Sequence, residues 1–188
     1  MEEWKQKIID RIYLFYPKNI IYGDPKYFES KEYIYYNKIK KTNTLSFERE
    51  KLYKELVAHF GSDKVDDFSL LMDTPSLVFK IYGPITDKRD IDWVLYISTL
   101  TNRYIVCKNI NLVGSKKGWD TYILGTKSIG NDDKKVMNFV SNKIESILPD
   151  YEYLPSSFAK YKVSNIWTPT KEKGDVVVFD CLFTDNPW

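Results

Sequence analysis

The sequence predicts an α+β domain: N-terminal helices, then a mostly antiparallel β-sheet with one late helix. Three observations carry this. Apolar residues in the first 61 positions recur at helical spacing. After Pro75 the chain changes to short β-branched and aromatic runs separated by turn residues. Most of those runs lie too close together for a helical crossover, which leaves antiparallel pairing.

The elements follow in order. Trp4, Ile8, Ile12 and Phe15 fall on one helical face, widened by Ile9 and Tyr16, and Pro17 ends the helix. In "YGDPKYF", Gly23 suits a turn, Asp24 a cap and Pro25 the first helical position, so a second helix starts there. A third, capped by Ser46, carries Leu52, Leu56 and Phe60, and Gly61 stops it. The runs "SLVFKIYG", "DIDWVLYIS", "RYIVCKNI" and "WDTYILGT" read as strands, with "TLTN" and "NLVGSKKG" as hairpin connections. The late helix, 132–148, is capped by Asn131 or Asp132 and buries Val136, Val140, Ile144 and Ile147. Two closing strands, "FAKYKVSNIW" and "DVVVFDCLF", pair across the polar turn "TPTKEKG".

With 188 residues, the chain reads as a single domain, 1–188, made of a helical part at 1–61 and the sheet plus late helix at 62–188. Hydrophobic residues make up 43%, enough for a core without disulfide or metal, and no cofactor is expected. The 28 bases nearly match the 26 acids, so the overall field does not favour nucleic acid. The charge is uneven: residues 1–61 hold 12 Lys/Arg and 9 Asp/Glu, whereas 62–92 hold seven Asp and four bases. Cys107 and Cys181 sit in apolar runs and read as small buried hydrophobes. The N-terminus lacks an apolar signal core, and the longest uncharged run is the ten residues from Trp93 to Asn102, so a cytoplasmic protein without a membrane span is expected.

The aromatic content is 16%, with Tyr outnumbering Phe by 15 to ten, and it concentrates in "KYFESKEYIYYNKIKK". On a helix its apolar arc is too wide for a simple surface element. Phe28, Tyr35 and Ile39 share one face, Tyr27 and Ile34 another. Rings between lysines could stack nucleic-acid bases, but Asp24, Glu29 and Glu32 offset the lysines. Packing of one face, or anchoring of a protein partner through tyrosine, fits better. His59, the one histidine, ends a helix, where the dipole favours a cation. "GSKKG" at 114–118 lacks the phosphate-loop pattern and reads as a turn.

Two patterns carry functional readings. In "GPITDKRDIDWVLYI", Asp90 and Asp92 are two apart on a strand and point to one face, where paired carboxylates can share divalent metal. "DIDWVLYI" resembles the Asp-apolar-Asp strand of the nucleotidyltransferase superfamily. That resemblance implies metal-dependent nucleotidyl transfer by Asp90 and Asp92, a third carboxylate for which Asp120 is the candidate, and a Gly-Ser turn upstream. Here Gly83 is followed by Pro84. The second pattern is "GSDKVDDFSLLMDTPS", where Asp63, Asp66, Asp67 and Asp73 surround Phe68 and its apolar neighbours. Acids around an apolar centre would steer a basic partner and then bury an anchor.

In its general character, and most in "IYLFYPKNIIYGDPKYFESKEY" at 12–33, the chain is similar to the immunity proteins of bacterial polymorphic-toxin systems. The resemblance implies a non-catalytic protein that binds and blocks a cognate toxin, such as a basic nuclease domain. It transfers no functional residue.

Overall fold

The computed structural model describes residues 1–42, 45–69, 74–85, 89–112, 119–124 and 130–184. The helical part comprises α1 (Glu3–Ile12), α2 (Pro25–Glu29), α3 (Lys31–Lys41) and α4 (Ser46–Phe60). The sheet follows, with β1 (Val65–Asp67), β2 (Ser76–Ile85), β3 (Arg89–Ser98), β4 (Arg103–Leu112) and β5 (Trp119–Ile123). After it come α5 (Asn131–Ile147), β6 (Glu152–Tyr153), α6 (Ser156–Ala159) and α7 (Val178–Leu182). Strands β1 to β5 lie in sequence order, each antiparallel to the next, while β6 runs parallel to the start of β4. The fold is α+β, as the periodicities predict.

The central strands are apolar on both faces, so each face needs a cover. Leu77, Phe79, Ile81, Trp93, Leu95, Ile97 and Val106 point to one side, where Leu52 and Leu56 of α4 and Val136, Val140 and Ile144 of α5 meet them. Val78, Val94, Tyr96, Ile105 and Cys107 point to the other, where Ile8, Ile9 and Ile12 of α1 pack together with α6 and α7. The sheet is thus the middle of three layers.

Several boundaries differ from the expectation. Ser46 is the first residue of α4 and makes no cap bond, with Leu45 at the cap position. Gly130 occupies the cap of α5, and the carboxylate of Asp133 reaches back to its N–H at 3.2 Å. The helix begun at Pro25 breaks at Ser30, whose hydroxyl accepts the Tyr33 N–H at 3.2 Å and starts α3. Strand β1 was not expected, since three residues carry no readable alternation. The largest correction concerns the closing strands. Their pairing is antiparallel but shrinks to one bridge, Lys162 with Val177, and "DVVVFDCLF" becomes the short helix α7. Every residue of α7 is buried on the α1 side of the sheet. This apolar run covers a sheet face, where a helical turn satisfies its own backbone, so the β-branched composition is overridden.

Candidate interaction surface

Asp90 and Asp92 share a sheet face, as their spacing requires. Asp92 is 4% exposed and lies 2.8 Å from the ammonium of Lys80. Its contact is an ion pair, since the approach does not meet hydrogen-bond geometry. Across the strands Asp92 stands between Tyr82 and the buried Asn109, which accepts a bond from Thr121 at 2.9 Å. Asp90 accepts one from Asn111 at 3.4 Å. Asp120 pairs with Ile110 and so points to the opposite face of the sheet from Asp90 and Asp92. Among the described residues, no group of three His, Cys, Asp or Glu side chains is placed to hold a metal ion.

Gly83 lies within β2, where it has a structural task. A Cβ there would stand 2.6 Å from the carbonyl of Ile91 and 2.7 Å from the Trp93 ring, at the irregularity where β2 shifts register against β3. Only a residue without a side chain permits that approach.

The acidic segment is divided by the fold. Asp63 is exposed. Asp66 is exposed and accepts the Tyr82 hydroxyl at 2.7 Å; burial, together with that bond, pushes the phenol up to about 12. Asp67 is half-buried in an ion pair with Arg49 of α4 at 2.7 Å. Phe68 is half-buried against the core on the α1 side. Asp73 lies outside the described residues, as does "GSKKG". His59 stacks on Phe139 with centroids 3.8 Å apart, joining α4 to α5.

The aromatic stretch contributes to two clefts, which lie beside α3. That helix contains no fully buried side chain among those described. Rings hold it in place: Tyr35 stacks on Phe15 at 5.3 Å, Tyr36 meets Tyr16 at 5.5 Å, and Tyr33 meets Tyr27 at 5.4 Å. The first cleft, of ≈ 80 Å³, is lined by tyrosines 16, 22, 27, 33 and 36 together with Lys40 and Asp180. The Tyr27 hydroxyl donates to the Trp167 carbonyl at 3.2 Å, and burial drives its pKa far above the ordinary tyrosine value. Asp180, 2% exposed, is held by Lys171 at 2.9 Å and by the Val177 N–H at 2.8 Å.

The second cleft is an open groove between the turn after α1 and α3. Tyr13, Leu14, Pro17, Lys18, Ile20, Lys31, Glu32 and Tyr35 line it. The turn is fixed at both ends. Tyr16 continues from α1 through its N–H to Ile12, and Asn19, at φ 58°, donates to the Asn165 carbonyl at 2.8 Å. The flanking segments expose apolar side chains: Leu14 is 50% exposed, Ile21 61%, Ile34 58% and Tyr35 37%. The sequence signal for this surface is the overly wide apolar arc of 26–41. What it lacks is any indication that α3 packs on the α1 turn and not on the sheet.

Comparison with known proteins finds no match among protein-family models, curated proteins or solved structures.

Proposed function

We propose that this chain is a non-catalytic protein-binding module, a stoichiometric inhibitor of the immunity-protein kind, and that the α1 turn and α3 form its contact surface. The observation that carries this reading is the exposure of Leu14, Ile21, Ile34 and Tyr35 on the two segments that form the groove. Large apolar side chains gathered on fixed elements mark interaction sites, and a tyrosine with rigid backing is a favoured anchor. Asp63 and Asp66 remain available for a second, acidic contact.

Site-specific photo-crosslinking in cells that make the protein tests the proposal. A crosslinker at Ile34 should give a discrete adduct with one other protein, and the same crosslinker at exposed Tyr122 of β5 should not. Equal labelling from both positions, or no discrete adduct from Ile34, would contradict it.

A further inference from the structure

We infer that the groove between the α1 turn and α3 receives an apolar segment of a partner protein that carries Asp or Glu beside its apolar residues. The inference rests on the protein-binding reading and adds the partner's chemistry. The lining of the groove combines the apolar Leu14, Pro17, Ile20 and Tyr35 with two cations, Lys18 and Lys31, and one carboxylate, Glu32. Lys18 holds its ammonium 3.6 Å from the Tyr13 ring centroid, and among the described residues no carboxylate lies within ion-pair distance of it. The Lys31 side chain is 91% exposed, and the carboxylate it meets among the described residues is that of its neighbour Glu32, at the 4.0 Å limit.

The surroundings have the same sign. Residues 10–41 contain seven Lys/Arg and four Asp/Glu. Of those acids, Asp24 accepts the Lys26 N–H at the start of α2, and Asp10 accepts from Gln6. A basic segment entering the groove would bring its cations against Lys18 and Lys31, whereas an acidic one would pair with both while its apolar residues cover Leu14 and Tyr35. A second copy of this chain fits less well. A symmetric contact through the groove would bring the Lys18 and Lys31 pairs of both copies into one interface.

The experiment uses two synthetic amphipathic peptides with the same apolar positions, one with Glu and the other with Lys at every polar position, titrated by fluorescence anisotropy. The wild-type protein should bind the Glu peptide and not the Lys peptide, more weakly as salt rises. The variant Lys18→Glu/Lys31→Glu should bind the Glu peptide about tenfold more weakly and gain affinity for the Lys peptide. Both lysines are exposed enough for the variant to keep its fold, which circular dichroism checks. Equal binding of both peptides, lost in Leu14→Gln, would overturn the acidic partner and leave the groove as a protein site. Binding of neither peptide, or a Glu-peptide affinity unchanged by the charge reversals, would overturn the inference. So would concentration-dependent dimerisation that Leu14→Gln abolishes. The crosslinking from Ile34 judges the protein-binding reading independently.

Discussion

Asp133 links the late helix to the sheet through a single carboxylate. Burial alone would raise its pKa, but bonds from Lys108, from Trp93 Nε1 at 2.8 Å and from the Gly130 N–H outweigh this and hold it below its ordinary 3.8. A group whose pKa is depressed by folding stabilises the native state above its unfolded pKa and loses that contribution as pH falls through the folded value. Asp133→Asn should therefore cost about 2 kcal/mol at neutral pH, as expected for a weakened buried charged network. The difference from wild type should shrink as the pH drops below about 3.8, which urea unfolding at neutral and acid pH measures. Gly83→Ala is a second test at this scale. The added methyl has no room between the Ile91 carbonyl and Trp93, so a loss of about 1–3 kcal/mol is expected. Near-neutral urea unfolding would contradict the close-approach argument.

At the level of elements, the acidic segment separates a structural carboxylate from a solvent-facing one. Asp67 ties β1 to α4 through Arg49, whereas Asp66 faces solvent beside Tyr82. Asp67→Lys should lower the thermal midpoint by several degrees, and Asp66→Lys should leave it nearly unchanged. Equal effects in a melting experiment would show that the two positions are not distinguished in this way. The same contrast indicates what sequence can disclose. Spacing placed Asp90 and Asp92 on one face, because strand alternation is a local rule. It could not place Asp120 on the opposite face, since that depends on the register of β5 against β4. The stripes of α1, α4 and α5 were legible because their buried residues recur with the helical period. The final segment was not, because "VVVFDCLF" has the composition of a buried strand and its packing as a cover was decided by the open sheet face. Of the proposed contact surface, Tyr35 stands out in the aromatic stretch, whereas Leu14 and Lys18 join it in one groove only through the fold.

For the whole molecule, the central strands of the sheet are covered on both faces, with α4 and α5 on one side and α1, α6 and α7 on the other. The tyrosine-rich α2 and α3 lie at the periphery, where half-exposed rings can meet another surface. None of the helices among the described residues is long and apolar enough to cross a membrane. On the proposed binding reading, the exterior carries the function and the core carries the stability, and mutation separates the two. The most direct measurement is a calorimetric titration of the protein crosslinked from Ile34, purified, against wild type and against a folded Leu14→Asp/Ile34→Asp variant. The expected result is a 1:1 complex whose affinity falls about thirtyfold or more in the variant, the effect of losing a central apolar anchor. An unchanged affinity in a correctly folded variant would contradict it.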